Sequence, residues 1–172
     1  MRHRVVQIVV LLLATQAGAA DLDARAVAFE PAKGRDLVNK CSRPGPGNVT
    51  SFWRVAESDI REIENRLVVF VEEQKRRSEF RSSVALNQSL RRYLGLELAS
   101  GEKVVYIDVS PAEKLDPSFP PDSFGLSMCD GGANYWGVEY LPNTKAFRHL
   151  FFDGGGPRRS NLSSHPTAFG GG

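Results

Sequence analysis

The chain has 172 residues, of which 41% are hydrophobic and 24% are charged. These fractions fit one globular domain and exclude wholesale disorder, a collagen and a coiled coil. The formal net charge is only +2, which gives no support to nucleic-acid binding, and no run of about 18 apolar residues predicts a membrane span in the mature chain.

The first 20 residues have the pattern of a secretory signal peptide. Arg2 and Arg4 provide a positive start, an apolar run follows over 5–13, and small residues are frequent over 14–20. Because this apolar core is too short to span a bilayer comfortably, we expect removal on export rather than retention as an anchor. We therefore predict a signal peptide over 1–20 and a periplasmic or secreted protein whose mature chain is formally neutral.

The chain has two cysteines, Cys41 and Cys129, and both follow the predicted signal peptide. An even pair in an oxidising compartment predicts a disulfide bond. In the chain-entropy model, closing a loop of about 90 residues stabilises the fold by roughly 4–5 kcal/mol. The alternative is a nucleophilic Cys129 activated by His149. Asp130 or Asp153 would then orient the histidine.

The segment 21–54 has mixed polarity and is rich in proline and glycine, which predicts an extended lead-in. A short helical turn is expected within it, near 34–40. Phe52 and Trp53 are the large apolar residues at its end, so we expect them to anchor the lead-in on the core.

A long amphipathic helix is predicted from about Ala56 to the region 78–83. Its apolar residues recur every three or four positions and form one stripe. The members of that stripe are Ile60, Ile63, Leu67, Phe70 and Val71. Ser58 or Asp59 is expected to cap the helix start, and a short second helical piece is expected at 84–89.

Beyond the helix the apolar period shifts from near four to two, which predicts strands. Alternation over 90–98, a turn at 99–102 and β-branched residues over 103–109 predict a hairpin. The stretch 110–123 contains four prolines and is expected to be a loop. Three further strands are predicted, at 124–129, 134–141 and 145–152.

One helix followed by about five strands in hairpin succession predicts an α+β domain over 21–153. Its sheet is expected to be antiparallel, to have four to five strands and to pack on the helix. The outline is cystatin-like in topology, but the inhibitory pattern Q-x-V-x-G of cystatins is missing, so protease inhibition is not implied. The glycine-rich stretch 154–172 is predicted to be a disordered tail.

The run Cys129-Asp130-Gly131-Gly132, followed by Trp136-Gly137-Val138-Glu139-Tyr140, is the least generic part of the chain. It resembles a segment of small uncharacterised exported bacterial proteins in which a CDGG turn precedes a WGV strand. The resemblance spans 41–154 and extends to the Cys41 and Trp53 lead-in, the Asp59-Ile60 helix start and the Arg92-Tyr93-x-Gly95 strand. Asp153-Gly154 departs slightly from the family's final pair. No activity is known for this group, so the resemblance implies export, a disulfide bond and the fold, but no mechanism.

The sequence carries no nucleotide-binding loop, no nucleophile elbow and no His/Cys spacing typical of a metal site. We therefore expect no cofactor and no metal. The favoured function is a non-enzymatic domain, of the inhibitor or immunity type, that binds a protein partner in the envelope or outside the cell. The residues expected to form its exposed binding surface are Arg76, Arg77, Arg81, Arg91 and Arg92.

The alternative function is a small hydrolase or cation-dependent enzyme. It would use carboxylates and a histidine near the C-terminal strands, where they could bind a cation or protonate a sugar. The candidate residues are Asp130, Glu139, His149 and Asp153. This function requires the four side chains to converge in one cleft.

Overall fold

A long helix lies against a six-stranded sheet in the computed structural model, which describes residues 22–39, 44–114 and 131–154. The strands are β1 (Ala26–Ala28), β2 (Val49–Arg54), β3 (Ser89–Leu98), β4 (Lys103–Pro111), β5 (Trp136–Leu141) and β6 (Ala146–Phe152). The helices are α1 (Gly34–Val38) and α2 (Glu57–Arg76). The predicted α+β class and the long helix are therefore confirmed.

The sheet is mixed rather than wholly antiparallel, because the lead-in supplies two strands to it. β3, β4, β5 and β6 follow one another as antiparallel neighbours. β3 is long enough to take two partners on its other edge. β1 pairs with its first half in parallel, with Ala26 opposite Arg91. β2 pairs with its second half in antiparallel fashion, with Arg54 opposite Leu94. This corrects the expected antiparallel sheet of four to five strands.

α2 packs on one face of the sheet through the predicted apolar stripe. Its buried residues are Ile60, Ile63, Leu67 and Val71. Phe70 is half-buried at the margin of the stripe. The predicted side-chain cap is wrong, because Ala56 occupies the N-cap position and no described side chain forms a capping hydrogen bond there. Asp59 instead lies in the first turn, where a carboxylate interacts favourably with the helix dipole.

The opposite face of the sheet is also covered. Phe29 and α1 pack there against side chains of the central hairpin. The sheet residues in this second cluster are Leu94, Leu96, Val104 and Tyr106. The helical turn expected near 34–40 is thus confirmed as α1. Because both faces of β3 and β4 are dry, any charged side chain on them needs a partner.

Several predicted features lie outside the described residues. They are the signal peptide over 1–20, the strand at 124–129, the tail beyond Gly154, and both Cys41 and Cys129. The strands expected at 134–141 and 145–152 are present as β5 and β6. None of the helices in the described part of the chain combines the length and the hydropathy needed to span a bilayer.

Candidate functional site

Arg91 is a buried structural residue rather than part of an exposed surface. Its side chain lies on the α2 side of β3 with 1% of the residue exposed. Its Nε donates to Glu64 Oε1 at 2.6 Å and one terminal nitrogen donates to Asp23 Oδ2 at 2.9 Å. Tyr93 also donates its hydroxyl hydrogen to Glu64. The expected exposure of Arg91 is wrong because this network joins β3 to α2 and to the lead-in.

Arg92 is equally buried, on the other face of β3. It forms an ion pair with Asp108, which lies opposite it on β4. The same nitrogen donates to Ser110 Oγ at 3.2 Å. Neighbouring residues of a strand point to opposite faces, so both arginines are buried in a sheet that is covered on both sides. Arg92 is therefore removed from the expected binding surface as well.

The remaining three arginines are exposed at the C-terminal end of α2. Arg76 ends the helix, Arg77 follows it, and Arg81 lies five residues beyond the helix in an irregular segment. The Arg81 guanidinium stacks over the Phe152 ring at 4.7 Å. Arg76 lies 4.0 Å from Glu73, whereas Arg77 has no ion-pair partner among the described residues. The expected exposure of these three is thus confirmed, and their role in binding stays a prediction.

A groove of about 650 Å³ runs between α2 and β6, and we call it the α2–β6 groove. Side chains that line it include Arg66, Val69, Phe70, Arg77, Lys145 and Phe147. Phe70 and Phe147 stack with their ring centroids 4.7 Å apart and form its apolar floor. Val69 is 58% exposed beside them, whereas Val68, which is 51% exposed, lines a separate cavity. Val69 and the two rings form an exposed apolar surface, and such surfaces mark interaction sites.

Among the residues that the structure describes, the charges along the groove leave one cation, Arg77, without a carboxylate partner. Glu62 pairs with Lys145 at 2.7 Å and with Arg66 at 3.2 Å. The hydrogen bond from Lys145 is the main reason that the pKa of Glu62 is lowered. Arg77 lines the other end of the groove without a carboxylate partner among the described residues. That end can therefore receive an anionic group.

A second, smaller cavity of about 200 Å³ adjoins the groove, and we call it the Trp53 pocket. Its walls include Trp53, Asp59, Ile63, Tyr140 and Pro142, and it shares Glu62 and Lys145 with the groove. The Trp53 side-chain nitrogen is buried and has no hydrogen-bond partner among the described residues. The carboxylates of Asp59 and Glu62 and the ammonium group of Lys145 all line this pocket. Burial, followed by the charge of Glu62, raises the pKa of Tyr140.

Glu139 and His149, two residues of the alternative enzymatic site, do lie together on the sheet face opposite α2. His149 Nδ1 is 3.1 Å from Glu139 Oε1, and Arg148 Nε is 2.7 Å from Oε2. A bulge in β6 allows these two neighbours to contact one carboxylate, and His149 adopts a left-handed φ of 53° there. Arg148 also bonds Glu102 at 2.6 Å, and its pKa is raised first by Glu102 and then by Glu139.

The other two members of the alternative enzymatic site do not complete a cleft. Asp153 follows β6, and its backbone N–H donates to the carbonyl oxygen of Tyr135 at 2.8 Å. Tyr135 immediately precedes β5 and lies four residues before Glu139, which is a separation of about 13 Å along an extended chain. Asp130 lies outside the described residues. Glu139 and His149 are therefore in contact, whereas Asp153 lies away from them.

Sequence reasoning missed the groove, although one signal for it was present. Residues 67–71 read Leu-Val-Val-Phe-Val, an apolar run without interruption. Five consecutive helical residues span more than one full turn, so they cannot all face the same core. Val68 and Val69 are the two that point to solvent. The contribution of Phe147 and Lys145 depends on the packing of β6 beside α2, which no local pattern indicates.

No group of three or more potential metal-ligating side chains occurs among the described residues. Comparison of the chain with protein-family models, with curated proteins and with solved structures found no match.

Proposed function

We propose that the chain is an exported, non-enzymatic domain that binds a protein partner, and that the partner lies in the α2–β6 groove. The observation that carries this proposal is an exposed apolar surface next to a cation that has no carboxylate partner among the described residues. Val69 is 58% exposed beside the stacked Phe70 and Phe147 rings, and Arg77 is at the end of the same groove. An inhibitor or immunity-type protein would use such a surface to hold its target.

Two features of the groove, its composition and the strand beside it, support a protein partner over a small molecule. Its floor combines aromatic and aliphatic side chains with arginines at the rim, which is the composition enriched at protein interfaces. β6 is the last strand in the sheet order of the described residues. An edge strand next to a groove can accept a further strand from another chain.

This location changes which arginines are proposed to bind. Arg77 remains, since it lines the groove. Arg76 and Arg81 flank it and contribute positive potential. Arg91 and Arg92 act in the fold instead, because each is buried in an ion pair.

Co-purification of the tagged, full-length chain from its natural source cells tests this function. The variant Val69→Asp places a charge on the apolar floor and should lower recovery of the partner at least about tenfold, as expected for a central interface residue. Ser100→Asp, on the exposed β3–β4 turn, is the matched control and should retain the partner. Equal recovery with all three proteins, or no partner with the wild type, would contradict the proposal.

The cystatin-like outline remains part of this proposal. The order β2-β3-β4-β5-β6, with α2 between β2 and β3 along the chain, supports it. β1, which pairs with β3 in parallel, is an extra strand outside that outline. Because the cystatin inhibitory pattern is missing from the sequence, this outline assigns no target.

A second candidate function is acid–base catalysis by Glu139 and His149. The contact of 3.1 Å between them favours it, because a carboxylate that accepts from Nδ1 leaves Nε2 of the exposed His149 available to a substrate. Chromogenic ester, phosphodiester and glycoside substrates test it. Hydrolysis by the wild type that falls at least about a hundredfold in His149→Gln would support this function, and equal rates would exclude it.

A further inference from the structure

The charged residues along the groove determine which side chains an occupant can carry at each end. The Trp53 pocket and the α2–β6 groove share Glu62 and Lys145. The ion pair between these two, at 2.7 Å, therefore forms the wall between a small cavity and a long groove. A segment that occupies the groove passes this wall and can place one side chain in the pocket.

The Trp53 pocket is suited to a cationic side chain. Glu62 is already neutralised by Lys145 and Arg66, but Asp59 has no ion-pair partner among the described residues. The aromatic rings of Trp53 and Tyr140 form part of the walls. Aromatic rings and a carboxylate together bind ammonium and guanidinium groups, while the apolar walls accept the aliphatic stem. A volume of about 200 Å³ has room for one long side chain.

The end of the groove at Arg77 is instead suited to an anionic side chain. Arg77 is exposed, lines the groove and is without a carboxylate partner in the described part of the chain. It also lies at the C-terminal end of α2, where its own charge is favourable to the helix dipole. A guanidinium in this position can form a bidentate pair with an incoming carboxylate.

The helix sets the distance between the two ends. Asp59 and Arg77 are 18 residues apart in sequence, which corresponds to about 27 Å along a helix axis. A chain in strand conformation covers that distance with roughly eight residues. Val69 lies at about 15 Å from Asp59 on the same axis. An apolar side chain about five residues from the cation would therefore meet the floor made by Phe70 and Phe147.

We propose that the occupant of the α2–β6 groove is an extended segment of the partner protein that places a lysine or arginine in the Trp53 pocket and an aspartate or glutamate at Arg77. An apolar side chain between them packs on the Phe70–Phe147 floor. The extended conformation follows from the edge strand β6 beside the groove, which can pair with a further strand. This inference rests on the proposed function, and it adds the chemistry of the segment.

A phage-displayed library of random 12-residue peptides, selected on the purified mature protein, tests the inference. Enriched peptides should carry a basic and an acidic residue roughly eight positions apart, with an apolar residue between them. Asp59→Asn and Arg77→Glu should each weaken a selected peptide at least about tenfold, as loss of a charge-assisted contact does. Exchanging the acidic residue of the peptide for lysine should restore its affinity for Arg77→Glu.

Two matched controls separate the sites from general effects of charge. Glu57→Gln removes another carboxylate of the first turn of α2, and Arg35→Glu reverses an exposed charge on α1, on the opposite side of the sheet. Neither residue lines the groove or the Trp53 pocket. Both variants should bind the peptide like the wild type. The inference would be overturned by selected peptides that lack the charge pair or that bind as helices. It would also be overturned if a second copy of this chain filled the groove. If the peptide selection gave one of these results but Val69→Asp still abolished co-purification, the proposed function would stand and only this inference would fail.

Discussion

Adjacent side chains of the same type have different partners in this protein because strand geometry places them on opposite faces of the sheet. Arg91 and Arg92 point to opposite faces of β3, and each meets carboxylates there. The sequence indicates their alternation, but it does not indicate that both faces are covered. Coverage depends on α1 and Phe29, which pack on the second face. The buried state of Arg92 therefore could not be predicted from its own neighbourhood.

The arginines should consequently differ in what they contribute to stability. Arg91→Met leaves Glu64 and Asp23 without their cation and should lower the free energy of unfolding by about 2–3 kcal/mol. This is less than the usual loss of about 3–5 kcal/mol for a broken buried pair, because both carboxylates retain some contact with solvent. Arg76→Met should change it by less than about 0.5 kcal/mol. Urea unfolding of both variants measures the difference, and equal midpoints would contradict the assignment.

Tyr93 gives the same network a dependence on pH. Burial, and then the charge of Glu64, raise the pKa of Tyr93 well above its ordinary value of 10.0. A raised pKa means that the folded state holds the proton longer than the unfolded chain does. The stabilisation is complete below the unfolded pKa and is lost as the pH rises above it.

Tyr93→Phe should therefore flatten the alkaline side of the stability profile. Between about pH 9.5 and 11 the wild type should lose up to about 1.4 kcal/mol more per pH unit than the variant does. Urea unfolding at a series of pH values provides the profiles. Parallel profiles above about pH 10 would show that the Tyr93 proton is not held by the fold.

At the scale of elements, the sequence predicts the helices and strands whose apolar residues recur with a regular local period. The apolar stripe of α2 and the alternation in β3 and β4 correspond to the observed helix and hairpin. β1 has three residues and pairs with a strand more than sixty positions away. Such a short parallel partner has no pattern of its own, since tertiary contact alone fixes it. The same holds for the groove, which exists only where β6 lies beside α2.

The contact between β2 and β3 should be sensitive to a single methyl group. The Trp53 ring lies against Gly95, and a Cβ added there would be 2.0 Å from Trp53 Cδ2. Gly95→Ala should displace the ring, alter the Trp53 pocket and cost about 1–3 kcal/mol of stability. Gly47→Ala is the control, because nothing in the described part of the chain lies within 4 Å of its added Cβ. Thermal unfolding should separate the two variants, and equal melting temperatures would refute the close approach.

At the scale of the whole molecule, the proposed export and disulfide bond concern residues outside the described ranges. Intact mass of the natively produced protein, alkylated with and without reduction, checks both. We expect loss of about 20 residues, no label before reduction and two labels after it. Reduction should lower the free energy of unfolding by about 2–5 kcal/mol. Two labels without reduction would instead support a reactive Cys129.

Binding in the α2–β6 groove is the central claim, and site-specific photo-crosslinking in the natural source cells tests it most directly. A photoreactive phenylalanine replaces Val69 in the groove or, as control, Ser100 on the β3–β4 turn. We predict one discrete protein adduct from position 69, none from position 100, and loss of the adduct when Arg77→Glu is added. The same adducts from both positions, or none from position 69, would contradict the account.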